Sequence, residues 1–255
     1  MELAGKGVVV VGGASGMARA TAERMAGMGA RVAILDLPSS AGEQVAKEIG
    51  GEALFRPMDI TDYAGVESTL AEVADALGGI HVGVNVAGGG IAARTLSKKG
   101  PHPIEDFQRV VNLNLVASFN LLRLQADIMS RNEPNEDEER GVVISTASIA
   151  AYEGQIGQVA YAAAKSGIVG MTFTAARDLG KQGIRVMAIA PSLFDTGLTS
   201  AVPEEMKSML VAGAAFPSRM GKPDEYARLA VSIVENPMLN GFTIRLDAGQ
   251  RFQPK

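Results

Sequence analysis

Tyr161 and Lys165 stand four positions apart, and Ser148 precedes them on the same stretch of chain. Residues four apart on a helix share a face. A phenol titrates near pH ~10 in isolation, and an ammonium one turn away favours the phenolate and lowers that value. Such a phenol can exchange a proton with a substrate hydroxyl near neutrality, while a serine hydroxyl holds the substrate oxygen. The same Tyr-x-x-x-Lys spacing also occurs as plain packing, so its meaning depends on what lies upstream.

Upstream is a glycine-rich turn, Gly12-Gly13-Ala14-Ser15-Gly16-Met17-Ala18, between a strand-like run and a helix-like run. Glycines let the chain turn tightly and let its backbone approach a pyrophosphate; the helix start adds free N–H groups and partial positive charge. Asp36 ends the next strand-like run. A carboxylate there can accept hydrogen bonds from both hydroxyls of an adenosine ribose and repels a 2′-phosphate, which favours NAD over NADP. A turn cap on Ser39 or Ser40 is the other use of Asp36. Asp59 can accept from an adenine amino group or cap a helix. Asn85-Val86-Ala87-Gly88 closes a fourth strand with small residues that let a cofactor pass. An oxidised nicotinamide beside Tyr161 favours its phenolate further.

These groups need a scaffold that gathers them. Short β-branched runs at 8–11, 31–35, 53–55, 81–86, 141–146, 184–189 and 241–246 alternate with helical patterns at 16–29, 40–49, 61–77, 104–131 (one helix or two), 158–181 and 223–235. That alternation predicts an α/β fold: a Rossmann-like, doubly wound parallel sheet with helices on both faces. Ligands of such sheets lie beyond the carboxyl ends of the strands, where all the segments above converge. No linker interrupts the pattern, so residues 1–255 read as a single domain. Within it, 191–217 has weak periodicity and reads as a substrate-binding loop. The acidic run around Glu133, Glu136, Asp137, Glu138 and Glu139 reads as a solvated turn.

Composition narrows the function classes. The 255 residues are 47% hydrophobic and 20% charged, an ordinary globular balance. Cysteine is absent, which excludes disulfides, thiolate metal sites and cysteine nucleophiles. With only His81 and His102, neither a metal site nor a Ser-His-Asp arrangement is expected. A net charge of −4 argues against a nucleic-acid surface. No apolar run is long enough to span a membrane. The opening Met1-Glu2-Leu3-Ala4-Gly5-Lys6 has no leader pattern, so the expected compartment is the cytoplasm.

Taken together, these motifs resemble the short-chain dehydrogenase/reductase family, in the right order over the whole chain. Its glycine turn corresponds to 11–18, its Asn-Asn-Ala-Gly to Asn85-Val86-Ala87-Gly88, its catalytic Asn to Asn114, and its Ser, Tyr and Lys to Ser148, Tyr161 and Lys165. Its Pro-Gly turn and following Thr correspond to Pro191-Ser192 and Thr196. Val11, Ala18, Val86 and Ser192 depart from the family pattern; all four catalytic positions match. Scattered stretches such as Leu35-Asp36-Leu37-Pro38, Ser97-Lys98-Lys99-Gly100, Tyr152-Glu153-Gly154-Gln155 and Ala190-Pro191-Ser192-Leu193-Phe194 resemble the 3-hydroxyacyl-CoA dehydrogenase group of that family.

The resemblance implies an NAD-dependent, homotetrameric enzyme that interconverts a secondary alcohol and a ketone, a short-chain 3-hydroxyacyl-CoA and its 3-ketoacyl-CoA first among them. It implies cofactor contacts from Ser15, Met17, Asp36, Asp59, Ile60, Val86, Tyr161, Lys165 and Phe194, joined by Gly12, Gly16, Ala87, Gly88, Pro191 and Thr196. Ser148, Gln155 and Tyr161 would meet the substrate, and Asn114 would order a water near Lys165. Lys98 and Lys99 are either CoA phosphate contacts or a solvated loop. The alternatives are a 3-oxoacyl-thioester or hydroxysteroid reductase, or an NAD-binding assembly protein without turnover.

Overall fold

The apolar runs assemble into one seven-stranded parallel sheet in a computed structural model that describes residues 1–196 and 210–252. The strands are β1 (Gly7–Val11), β2 (Arg31–Asp36), β3 (Leu54–Pro57), β4 (Val82–Asn85), β7 (Gly141–Thr146), β8 (Ile184–Pro191) and β9 (Thr243–Leu246). Their order is β3-β2-β1-β4-β7-β8-β9. A separate antiparallel hairpin, β5 (Leu96–Ser97) and β6 (Gly100–Pro101), lies between β4 and the next helix. Around the sheet lie α1 (Gly16–Gly27), α2 (Gly42–Ile49), α3 (Tyr63–Leu77), α4 (Ile104–Val111), α5 (Ala117–Met129), α6 (Val159–Leu179) and α7 (Pro223–Glu235).

The continuous apolar character of the central strands follows from burial on two faces. Every residue of β1, β4, β7 and β8 is buried. Alternate side chains divide between the layers. Val8, Val10, Val32 and Ile34 pack with residues of α1, α2 and α7; Val9, Val11, Ala33 and Leu35 pack with α3 and α5. Each fully buried aliphatic contributes about 1.5–3 kcal/mol relative to exposure. The register Val11↔Leu35 and Val11↔Asn85 aligns the carboxyl ends of β2, β1 and β4. The doubly wound parallel architecture is thus present.

One feature resolves an open alternative in the expected pattern and another departs from it. The segment expected as one helix or two is α4 and α5 joined by a widened π turn, Asn112–Val116. A π turn inserts a residue into the helical ladder; here the Ser118 hydroxyl donates to the Asn114 carbonyl at 2.6 Å. The acidic run is not wholly solvated either. Glu133, Glu136, Asp137 and Glu138 are exposed, but Glu139 is buried against Arg185, whose Nε donates to Glu139 Oε1 at 2.7 Å. Arg185 also donates to the carbonyls of Ile233, Val234, Asn236 and Leu239, so this buried pair pins the end of α7 to β8.

Candidate active site

Beyond the carboxyl ends of the strands lies a cavity of about 930 Å³. That is at the upper end of the ordinary range for ligand sites. Its floor at one end is the β1–α1 turn. Gly12 has φ +83° and a Cβ there would come within 2.9 Å of the Ala87 backbone nitrogen. Gly16 has φ +53° and a Cβ there would meet the Thr196 side chain at 2.9 Å. Only glycine satisfies both the left-handed backbone and the close approach. Ser15 is the N-cap of α1 but makes no side-chain capping bond, and no acidic residue lies in the first turn. Free N–H groups and the positive end of the helix dipole therefore face the cavity.

Asp36 joins this turn to β2. Its Oδ2 accepts from the Ala14 backbone N–H at 3.0 Å and its Oδ1 from Leu37 at 2.7 Å. It does not cap Ser39 or Ser40. Each oxygen keeps a lone pair for further donors. Asp59 Oδ1 accepts from both the Thr61 backbone and its hydroxyl, at 2.8 and 2.7 Å, which holds its carboxyl below the usual range. The cap of α3 falls to Asp62, which accepts from Gly65.

At the other end, Ser148 follows β7, and Tyr161 and Lys165 rise from the first turns of α6. Lys165 is buried, with its Nζ 5.5 Å from the Tyr161 ring centre and donating to the Thr146 carbonyl at 2.7 Å. Burial lowers the Lys165 ammonium from 10.5 to about 8. The Tyr161 phenol moves upward: burial disfavours its anion, and the Ser148 hydroxyl only partly opposes that. The direction is therefore opposite to the expected lowering, because desolvation is the largest influence on this phenol. Glycines also shape this end. A Cβ at Gly88 would sit 2.6 Å from Asn114 Oδ1 and 3.4 Å from Lys165 Nζ, and one at Gly90 would touch the Tyr161 ring at 3.2 Å.

The structure brings Gly12, Ser15, Gly16, Met17, Asp36, Asp59, Ile60, Val86, Ala87, Gly88, Ser148, Gln155, Tyr161, Lys165, Pro191 and Thr196 to the wall of this one cavity. Asn114 is fully buried behind it. Its Nδ2 donates to the Gly89 and Val110 carbonyls at 2.6 and 2.9 Å and its Oδ1 accepts from the Gly89 N–H at 3.1 Å. Asn114 thus locks the segment after β4 that carries Gly88 and Gly90. Phe194 is also outside the cavity wall: its ring is buried over Gly221 and faces a second, smaller cavity. Lys98 and Lys99 are exposed at the turn of the β5–β6 hairpin, away from the wall. The expected substrate loop 191–217 falls partly outside the described residues, at 197–209.

Several wall or supporting residues had no signal in the sequence. Thr146 holds Lys165 through a carbonyl, which every residue type has, and its hydroxyl is 2.7 Å from the buried Tyr226 hydroxyl of α7. Gln158 and Phe252 line the cavity but belong to no repeat or motif.

The fold and this assembly of glycine turn, Ser, Tyr and Lys define a nucleotide-binding oxidoreductase, and the family model for short chain dehydrogenases matches residues 6–207. The chain belongs to the short-chain dehydrogenase family, whose members generally use NAD(P), and is an oxidoreductase. It is 51% identical over 248 residues to the Homo sapiens protein named 3-hydroxyacyl-CoA dehydrogenase type-2, covering 96% of this chain and 95% of that one. The Drosophila melanogaster protein of the same name is 50% identical, with 96% and 97% covered. The crystal structure of 3-hydroxyacyl-CoA dehydrogenase type-2 from Mycobacterium avium superposes with a TM-score of 0.94 at 41% identity, covering 98% of this chain and 97% of that chain. Among the described residues, no helix is long and apolar enough to cross a membrane and no cluster suited to a metal ion occurs.

Proposed function

We propose that this protein is an NAD-dependent dehydrogenase that interconverts a short-chain 3-hydroxyacyl-CoA and the corresponding 3-ketoacyl-CoA. The observation that carries the reading is one cavity with Ser148, Tyr161 and Lys165 at one end and the Asp36 carboxylate at the other. The bare glycine cradle and the open N-terminus of α1 fit a dinucleotide pyrophosphate. NAD, when bound, supplies or accepts the hydride. Asp36 favours its unmodified ribose over a 2′-phosphate, and Asp59 is available to its adenine. The names of the relatives at about 50% identity support the acyl-CoA substrate.

The chain's own residues handle the proton and the oxygen. Ser148 donates to the substrate oxygen and orients it. Tyr161 takes the hydroxyl proton in oxidation and returns it in reduction. Lys165, near a pKa of about 8, favours the phenolate whenever it is charged and is itself able to pass a proton near neutrality. Asn114 keeps the backbone beside Lys165 in place. Gln155 meets the substrate from the connection before α6. The whole chain acts as one domain, and the reading as a homotetramer rests on the family resemblance.

The test is to mix purified protein with NADH and acetoacetyl-CoA, with NADPH in parallel, and to follow absorbance loss. A fast NADH-specific rate is expected. NADH binding without turnover of this thioester would remove the acyl-CoA assignment while leaving the cofactor site.

A further inference from the structure

Arg245, the third residue of β9, ties two distant parts of the cavity wall together. Its Nη1 and Nη2 donate to Glu153 Oε1 and Oε2 at 2.8 and 2.9 Å, and its Nε donates to Asp247 Oδ2 at 2.7 Å. Nη2 also donates to the Gln250 carbonyl at 3.1 Å, and the guanidinium lies 5.0 Å from the Tyr152 ring centre. Asp247 is only 9% exposed. A bidentate, partly buried fork of this kind fixes geometry far better than an isolated surface pair.

The two anchored parts both reach the cavity. Glu153 belongs to the connection between Ser148 and Tyr161, which also supplies Gln155 and Gln158 to the wall. On the other side, the segment after β9 turns sharply: Ala248 has φ 53°, a conformation that an alanine adopts only when its surroundings impose it. Asp247 Oδ1 accepts from the Gly249 N–H, and the Ala248 carbonyl accepts from Ala215 and Phe216. Gln250 Nε2 donates to the Leu210 carbonyl at 2.7 Å. Two residues later, Phe252 enters the cavity wall. Strand order puts β9 beside β8, at the edge of the sheet opposite Asp36 and Asp59. Phe252 therefore belongs to the end of the cavity that holds Ser148 and Tyr161.

We propose that Arg245 is a positioning residue for the substrate end of the cavity: it clamps the Gln155 connection to the segment after β9, and so sets Phe252 as the apolar wall that limits acyl chain length. The chain-length half of this statement rests on the acyl-thioester reading; the clamp does not. Lysine cannot replace the fork, because it offers one point charge where Arg245 reaches two carboxylates and a carbonyl.

The experiment compares the full-length wild type with Arg245→Met, Arg245→Lys and Phe252→Ala. It uses acetoacetyl-CoA and 3-ketodecanoyl-CoA as substrates, NADH binding by fluorescence, and backbone amide exchange. For Arg245→Met, the KM for acetoacetyl-CoA is expected to rise about tenfold, with kcat and NADH affinity within about twofold. Arg245→Lys should fall between that variant and wild type. Phe252→Ala should raise kcat/KM for the ten-carbon relative to the four-carbon substrate about tenfold, a size typical of an altered apolar pocket. In Arg245→Met the amides of Tyr152, Glu153, Ala215 and Phe216 should all exchange faster, with β1 and β4 amides unchanged. The clamp is overturned if those four amides stay protected, or if NADH affinity falls in step with KM. An unchanged chain-length ratio in Phe252→Ala overturns the wall. Should Arg245→Met not fold, Arg245→Lys and Phe252→Ala decide the two halves separately. Should wild type turn over neither thioester, the proposed substrate and with it the chain-length wall fail, while the exchange data still judge the clamp.

Discussion

The two ends of the cavity are built on different principles. At the β1–β2–β3 end, the contacts come from backbone: left-handed glycines, free N–H groups at the start of α1, and one carboxylate that is tied to the turn through Ala14. At the β7–β8–β9 end, side chains do the work, and most depend on partners far away in sequence. Lys165 needs Thr146, Thr146 meets Tyr226, and Glu153 meets Arg245 ninety-two positions on. The difference matches the proposed ligands. A dinucleotide pyrophosphate is a constant shape with fixed charge, so backbone geometry suffices. A proton transfer requires a phenol, an ammonium and a hydroxyl at tuned distances and tuned pKa values, and those require packed, desolvated surroundings.

The comparison can be broken at either end. Tyr161→Phe is expected to lower turnover by about a thousandfold or more while NADH affinity stays within about twofold, since only the proton path is removed. Loss of NADH binding along with turnover would mean the two ends are not separable. Gly12→Val should reverse the pattern, weakening NADH by about a hundredfold, because the new Cβ collides with the Ala87 backbone from a left-handed position; isothermal titration measures it, and unchanged affinity would refute the cradle. Asp36→Ala should shift the NAD/NADP ratio of kcat/KM toward NADP by about tenfold. A constant ratio would leave Asp36 as only a brace for Ala14.

Two smaller effects sharpen the picture. Tyr226→Phe deletes only the hydroxyl that meets Thr146, and should lower kcat about threefold and move the pH profile that reflects Lys165, with KM unchanged. An unmoved profile would leave Tyr226 as packing alone. His81 lies outside the cavity and tests whether acid sensitivity comes from the site. Its Nδ1 accepts from the Gly7 N–H at 3.2 Å, and burial, then Lys6 and Arg31, lower its pKa to about 4 from 6.5. The folded state thus binds this proton more weakly than the unfolded chain. Its stabilisation is full above pH ~6.5 and is lost as pH falls towards 4. In His81→Leu, chemical denaturation should show a flatter decline over that window. An unchanged slope would place the sensitivity elsewhere.

Much of the backbone-built end could be read in advance, and less of the other. Glycines at 12, 13 and 16 after four valines announce a turn whose shape is local, so Gly12, Ser15, Gly16 and Asp36 were expected where they stand. The fold was open to the same kind of reading, because apolar runs bounded by glycines alternate with helical periods. Tyr161 and Lys165 were visible through their one-turn spacing. Phe194 shows the limit: the family resemblance implied a cofactor contact, yet its ring packs over Gly221, outside the wall of the large cavity. Lys98 and Lys99 show another, since a hairpin carries them away from the wall. Glu139 shows a third, because an acidic run gives no sign of which member meets a buried arginine.

What the sequence determined by itself are the features set by local chemistry: which segments become strands and helices, where the backbone must turn left-handed, and which residue types are on hand for proton transfer. Periodicity and glycine placement act within a few residues, so they are written in the order of the chain. Tertiary structure alone decided which residues share a wall and which way their pKa values move. Thr146 under Lys165, Asn114 against Gly89, and Arg245 across Glu153 and Asp247 arise from crossovers that join distant strands. The raised Tyr161 and lowered Lys165 arise from the water those crossovers exclude. Desolvation is a property of the assembled volume, and no spacing along the chain encodes it.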